Sequence, residues 1–212
     1  MDEYTGIVQL IAILLGVSWA SGLNLYAAML TLGLLGATGH AELPPGLEIL
    51  SDPVVIAAAG FMYIVEFFAD KVPGVDTGWD VLHTFIRIPA GAVLAAAAAM
   101  EVGPAAQVAA AILGGGLAAG SHITKAGTRA IINTVPEPFT NWGASLGEDA
   151  VVIGSMWLAL QYPILFLVLL GLALLLMIWF LPRLWRAGRR IAHRVKSYFS
   201  GSGPEVPKSS TS

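Results

Sequence analysis

The feature that most constrains this chain is an apolar run from Ile164 to Leu181, which contains no charged residue and is followed by Pro182. As a helix, such a run is long enough to cross a hydrocarbon core of ~30 Å. Only 12% of the 212 residues are charged, whereas about a quarter of the residues in a soluble domain are charged. A soluble fold of this size cannot bury so much apolar surface, because much of a small domain stays exposed to water. The sequence therefore predicts an integral membrane protein.

The distribution of apolar residues predicts an all-α, polytopic membrane helix bundle with about six short apolar segments. They lie at 6–36, 53–69, 89–100, 104–120, 150–160 and 164–181. The first would be roughly 46 Å long as a single helix. It is therefore either one long tilted helix or two pieces broken near Ser21-Gly22, and the sequence does not decide whether it crosses the membrane once or twice.

Basic residues are concentrated directly after the last span, at Arg183, Arg186, Arg189, Arg190, Arg194 and Lys196. Such a cluster faces the cytoplasm and attracts anionic membrane lipids. We expect a multi-pass protein of the bacterial cytoplasmic (inner) membrane with a cytoplasmic C-terminus. Residues 1–199 form a single membrane domain that includes a basic helix at 183–199, and 200–212 form a disordered tail. No nucleic-acid partner is expected, because the basic face lies directly against a span.

Two polar segments, 70–88 and 121–149, interrupt the apolar pattern. At helical spacing each one aligns its polar side chains on a single face and keeps its other face apolar. The first face carries Asp76, Asp80, His83 and Arg87, and the second carries His122, Lys125, Arg129 and Asn133. Each segment is predicted to be a short amphipathic helix that either lies at the membrane interface or re-enters the membrane. Non-helical turns at membrane depth are tolerated only where they are buried in protein or line a cavity.

Isolated charges within or beside apolar segments point to the same region. Glu66 lies inside an apolar span, where an unpaired carboxylate is costly. Asp70 and Lys71 follow one turn later. Glu148 and Asp149 precede the next apolar segment, where they serve either as helix N-terminal charges or as site residues.

Enzyme motifs are scarce. The chain has no cysteine, which excludes thiolate catalysis and Cys-ligated metals. It contains no P-loop, no His-Glu-x-x-His and no nucleophile elbow. A metal on the face of Asp76, Asp80 and His83 is less favoured than an ion-pair network with Arg87, so no metal and no cofactor are predicted. Enzymatic activity is not predicted, although an intramembrane enzyme stays open if Glu148 or Asp149 converges with His83 or His122.

Several motifs resemble those of a bacterial membrane family catalogued as domain of unknown function 4126. The resemblance covers roughly residues 8–160. It rests on the motifs Gly22-Leu23-Asn24-Leu25-Tyr26, Glu66–Asp76, Trp79-Asp80, His83–Gly91, Thr124–Ala130, Asn133, Pro136–Pro138 and Asn141-Trp142. It implies a multi-span membrane protein and supplies no established activity.

The leading interpretation is a small transporter or channel-like protein whose two polar segments form one charged intramembrane site. An acidic wall and a basic wall would handle a small ion, a proton-coupled solute or an anionic lipid headgroup, and the small chain would act as a homodimer. The site residues are Glu66, Asp70, Lys71, Asp76, Asp80, His83, Arg87, His122, Lys125, Arg129, Asn133, Glu148 and Asp149.

The alternative is a non-catalytic membrane scaffold or partner-binding subunit with an internal salt-bridge network. Full pairing of Arg87, Lys125 and Arg129 with acids, without an adjoining cavity, would favour that alternative.

Overall fold

The computed structural model describes residues 3–72, 74–133 and 138–199, and within them the chain is helical, with no strand. This confirms the all-α prediction. The predicted disordered tail at 200–212 lies outside the described residues. The six α-helices of the described part are α1 (Glu3–Ala37), α2 (Pro53–Ala69), α3 (Val75–Ala98), α4 (Pro104–Ile132), α5 (Pro138–Gln161) and α6 (Pro163–Phe199), with short 3-10 helices at Pro45–Ser51 and Met100–Val102.

In the described residues, four helical segments are long and apolar enough to cross a membrane, judged by length and composition. They are Tyr4–Ala37, Val75–Ala98, Pro104–Ile132 and Pro163–Phe180. A fifth is added if Pro45–Ser51 and Pro53–Ala69, which meet at 70°, count as one broken span. Large apolar side chains on the outer surface, such as Phe85 (80% exposed) and Leu175 (66% exposed), support a membrane protein, since soluble monomers rarely expose wide apolar patches. The predicted count of about six segments is not confirmed.

The first helix is broken in its interior at Asn24. Its backbone there is non-helical, with φ −148° and ψ 96°. The Asn24 Oδ1 accepts the backbone N–H of Ala27 at 2.9 Å, so Asn24 caps the second arm of α1 as an N-cap residue does. Of the two alternatives for residues 6–36, the structure has the broken one, with the break slightly after Ser21-Gly22.

The two arms of α1 fold back towards each other. Leu43 lines a cavity together with Gly6 and Leu10 of the first arm. The Leu43 side chain would also touch a Cβ placed on Gly36, near the end of the second arm, at 2.9 Å. In a straight helix, residues 6 and 36 would be roughly 45 Å apart, and one leucine could not reach both. Both ends of α1 therefore lie at the same end of the bundle.

Small residues allow α1, α3 and α4 to approach closely, as in membrane helix packing generally. A Cβ on Gly114 of α4 would lie 2.8 Å from the carbonyl oxygen of Gly91 in α3. A Cβ on Gly22 of α1 would overlap Ser121 Oγ and the carbonyl oxygen of Ala118 in α4. These contacts fix the polar half of α4 beside the broken part of α1.

The prediction that the polar segments are separate short helices is wrong. Segment 70–88 supplies the first half of α3, which continues through Pro89. Segment 121–149 supplies the last turns of α4 and the first half of α5, and residues 134–137 between these helices lie outside the described residues. The last helix likewise continues through Pro182 to Phe199. Proline removes one backbone hydrogen bond, which a long and well-packed membrane helix tolerates.

Candidate functional site

Charged side chains from four helices meet beside the broken part of α1, and we call this group the charged cluster. The end of α2, the first half of α3, the last turns of α4 and the first half of α5 each supply members, so the two polar segments are brought together. The basic side chains are 0–1% exposed, and the acidic ones are 0–3% exposed except Glu148, at 16%. The members are Glu66, Asp70, Asp80, Arg87, Lys125, Arg129 and Glu148.

Lys125 lies at the centre of the charged cluster. Its ammonium donates to the carbonyl oxygen of Leu23 at 2.9 Å, one residue before the break in α1. Its Nζ also lies near one oxygen of each acid: Asp70 at 2.9 Å, Glu148 at 3.4 Å, Glu66 at 3.5 Å and Asp80 at 3.8 Å. One ammonium therefore links the broken helix to acids from three other helices.

Arg87 pairs with two of these acids. Its Nη2 donates to Glu66 Oε1, and its Nη1 donates to Asp80 Oδ1 at 2.8 Å. Arg87 Nη1 also lies 3.2 Å from Nδ1 of His122, while His122 Nε2 lies 2.7 Å from the Thr84 hydroxyl. That hydroxyl donates its proton to the carbonyl oxygen of Asp80 at 3.0 Å. Since an arginine only donates, His122 accepts at Nδ1 and donates at Nε2, and is therefore neutral.

Arg129 uses its whole guanidinium. Nε and Nη2 donate to the two oxygens of Glu148 at 3.3 Å and 2.9 Å, a bidentate arrangement that fixes both partners. Nη1 donates to Asn141 Oδ1 at 2.8 Å and to the carbonyl oxygen of Asp70 at 3.1 Å. All three basic members are thus paired with acids, which meets one of the two conditions stated for the scaffold alternative.

Acidic members outnumber basic ones in the charged cluster. Three carboxylate oxygens of the cluster, Glu66 Oε2, Asp70 Oδ1 and Asp80 Oδ2, are buried and have no hydrogen-bond partner among the described residues, and the same is true of one donor, Arg87 Nε. An unsatisfied buried polar atom costs about 1–3 kcal/mol, and more when it is charged. The cluster therefore holds one acid more than it has bases, and three of its carboxylate oxygens are buried without a partner among the described residues.

Asp76, placed on the acidic wall by the sequence, lies outside the cluster. Its Oδ1 accepts the N–H groups of Gly74 and Thr77 at 2.8 Å and 2.6 Å, so it caps the start of α3. Its Oδ2 accepts from Asn133 Nδ2 at 2.8 Å. Asp76 and Asn133 therefore hold the end of α4 against the start of α3.

Asp149 and Lys71 lie beside the cluster. Asp149 accepts from Asn24 Nδ2 at 3.0 Å and from the Tyr63 hydroxyl at 3.2 Å, which anchors the break of α1 to α5 and α2. Lys71 lies over the Phe67 ring and donates to its carbonyl oxygen at 3.1 Å. Burial lowers the pKa of the Lys71 ammonium, against the opposing effect of Asp149.

His83 also lies at the edge of the cluster. Its Nδ1 lies 2.9 Å from the carbonyl oxygen of Trp79, and its Nε2 lies 3.3 Å from the Tyr26 hydroxyl. Among the described residues, no hydrogen bond joins Glu148 or Asp149 to His83 or His122.

A metal centre finds no support in the part of the chain that the structure describes. No group of three or more His, Asp or Glu side chains there is arranged to hold a metal ion. Asp76, Asp80 and His83, which share a helix face, each bond to different neighbours.

Three partners were missed by the sequence reasoning: Asn24, Tyr63 and Asn141. Asn24 offered a signal, because it is a polar residue inside an apolar segment. Asn141 belongs to one motif of the family resemblance, although its polar contacts were not predicted. Tyr63 offered no signal, since its role depends on which helix faces it.

A family model described as a domain of unknown function (DUF4126) matches residues 11–183. The matched range contains every member of the charged cluster, and it confirms the resemblance found in the motifs. No curated protein and no solved structure matches the chain.

Proposed function

We propose that this chain, which belongs to the family described as a domain of unknown function (DUF4126), is a small membrane transporter or channel-like protein for a cation. The observation that carries the proposal is the surplus of buried carboxylates, three of whose oxygens have no partner among the described residues. In a membrane interior, unbalanced charge is costly and is retained at ion and proton pathways. A small cation that joins the cluster would remove this cost.

The basic members argue against an anion as the substrate. Lys125 and Arg129 are already paired, and an incoming phosphate or carboxylate would have to displace Glu148 or Asp70. The surplus negative charge would also repel it. Of the substrates expected from the sequence, a small cation or a solute moved with one therefore remains. Anions, which include anionic lipid headgroups, are no longer expected.

A second feature favours a cation. The end of the bundle that holds both ends of α1 carries four exposed acids, Glu42, Glu48, Asp52 and Glu101, and we call it the acidic end. The segments 38–52 and 99–103 contain no Lys or Arg. A protein surface whose charges have one sign raises the local concentration of ions of the opposite sign.

The broken helix favours transport over a purely structural role. The break leaves the Leu23 carbonyl oxygen bonded to Lys125 rather than within regular helix. Discontinuous helices that bring carbonyl groups and helix ends to charged side chains are how many transporters build a site.

The membrane orientation is part of the proposal. The basic last part of α6, which follows the span Pro163–Phe180, favours a C-terminus in the cytoplasm of a bacterial cell. The acidic end then faces outward, and the N-terminus lies outside, because both arms of α1 reach that end. A homodimer surrounded by membrane lipids is the proposed assembly.

The test is reconstitution in liposomes, followed by measurement of proton, Na⁺ and K⁺ flux under an imposed potential. We expect flux of a cation, reduced in Glu66→Gln and in Arg129→Gln, and unchanged in the control Gly116→Ala, where an added methyl group meets no atom within 4 Å. A screen without any cation flux, with both cluster variants behaving like the wild type in cells, would refute a transport function.

A second candidate, a membrane scaffold or partner-binding subunit, is favoured by the full pairing of Arg87, Lys125 and Arg129 with acids. Under this function the same cluster variants lower stability but no ion moves. The liposome measurement therefore separates the two candidates.

A further inference from the structure

We propose that Glu66, Asp70 and Asp80 share one bound proton in the resting protein, which makes the proton the cation that the site handles. This inference rests on the proposed function and names its substrate. The reaction is simple: one carboxylate of the group takes up a proton and becomes a neutral carboxylic acid, which then donates a hydrogen bond.

The three carboxylates form one group around Lys125. One oxygen of each lies within 3.8 Å of the same Nζ atom, and the other oxygen of each is buried without a partner among the described residues. The side chains are 0–3% exposed. Like charges held so close in a water-free site disfavour full ionisation of the group, and the bound proton then belongs to the group rather than to one residue.

The charge count gives a single proton. The acids Glu66, Asp70, Asp80 and Glu148 face the bases Arg87, Lys125 and Arg129. Glu148 is already satisfied, because both of its oxygens accept from Arg129. One proton on the remaining acids makes the charged cluster neutral.

The titratable neighbours on the other faces do not supply this charge. From α4, His122 is fixed as a neutral tautomer by its two hydrogen bonds. From α3, His83 lies between Trp79 and the α1 residue Tyr26.

The remaining charged neighbours form a separate balance. Asp149 of α5 is bonded to Asn24 of α1 and to Tyr63 of α2. Lys71, which follows α2, interacts electrostatically with both Asp149 and Asp70. Together Lys71 and Asp149 add one base and one acid to the count, so the acids still exceed the bases by one.

A proton fits the site better than a metal cation. A Ca²⁺ or Mg²⁺ ion needs about six or more oxygen ligands in a shell, and the described residues contain no group of acids and histidines arranged in that way. A proton needs only one carboxylate oxygen and one acceptor beside it. The group around Lys125 offers three such oxygens.

Infrared spectroscopy of the full chain in lipid tests the inference without any transport assay. At neutral pH the wild type should show the carbonyl stretch of a protonated carboxyl group, shifted by exchange into D₂O. Each of the variants Glu66→Gln, Asp70→Asn and Asp80→Asn should lose this band entirely, because replacement of any one acid balances the cluster without a proton. Glu42→Gln, which changes an exposed acid outside the cluster, should keep it.

Several outcomes would overturn the shared proton. They are the absence of the band from the wild type, its persistence in any of the three cluster variants, or its loss in Glu42→Gln. The wild-type spectrum alone is informative if a variant does not fold. If Na⁺ or K⁺ flux is measured but the infrared band is absent, the shared proton is refuted and cation transport is still supported. If the band is present but no ion flux is measured, transport is refuted and the shared proton is still supported.

Discussion

Replacement of Arg87 by glutamine, compared with replacement of Glu66 by the same residue, tests the charge imbalance most directly. Both side chains are fully buried and bonded to each other, so the two variants break the same contact. Arg87→Gln enlarges the acid surplus and leaves Asp80 without its closest cation. Glu66→Gln removes the surplus and leaves every base with an acid.

The expected costs differ for this reason. Removal of one partner of a buried ion pair costs about 3–5 kcal/mol, because the other charge stays buried. We expect Arg87→Gln to fall in this range, since it leaves two acids unpaired in place of one. For Glu66→Gln we expect less than about 1.5 kcal/mol, the lower bound for a lost hydrogen bond to a charged group, because relief of the surplus charge offsets that loss.

The assay heats the purified protein in detergent and follows its elution by size-exclusion chromatography. The midpoint is the temperature at which half of the protein no longer elutes as a single monodisperse peak. For a protein of this size, 1 kcal/mol corresponds to roughly 2–4 °C. Arg87→Gln should therefore lower the midpoint by about 6–20 °C and Glu66→Gln by less than about 6 °C. Equal losses in the two variants, or a larger loss in Glu66→Gln, would refute the reasoning that acids are in surplus.

Two further predictions concern packing and topology. Gly22→Ala should destabilise the protein by about 1–3 kcal/mol, because the added methyl group overlaps the backbone of α4. The control is Gly116→Ala, where a Cβ meets no atom within 4 Å. Equal melting midpoints for the two variants would contradict the close approach of α1 and α4. Because the chain has no cysteine, single variants can be labelled in intact cells with a membrane-impermeant thiol reagent. Tyr4→Cys and Glu48→Cys should react with the reagent from outside the cell, and Arg186→Cys should react only after the membrane is opened. Labelling of Tyr4→Cys and Arg186→Cys from the same side would instead mean that α1 crosses the membrane once.

Much of the charged cluster was open to prediction from the sequence. A charge inside an apolar helix needs a partner, and helical spacing places Asp80 with Arg87, and Lys125 with Arg129, on single faces. The same spacing also placed Asp76 and His83 on the acidic and basic walls. The structure instead gives Asp76 a capping role and places His83 at the edge, because a face defines only a direction and not a neighbour.

The course of the helices was less open to prediction. Pro89 and Pro182 indicated helix ends, yet α3 and α6 continue through them. Membrane helices tolerate proline where neighbouring groups satisfy the freed backbone atoms, and such neighbours are often distant in the sequence. The fold-back of α1 at Asn24 is of the same kind, since the bonds that hold it come from Asp149 and Lys125.

By itself, the sequence determined the all-helical membrane character of this protein and the identity of the charges that must be buried, because both follow from transfer of side chains between water and hydrocarbon, a property of each residue alone. Only the tertiary structure decided that these charges share one centre around Lys125, that α1 turns back beside it, and that the acids there exceed the bases. Those outcomes depend on how helices cross, and crossing depends on close contacts such as that of Gly22 with α4, between segments about a hundred residues apart in the chain.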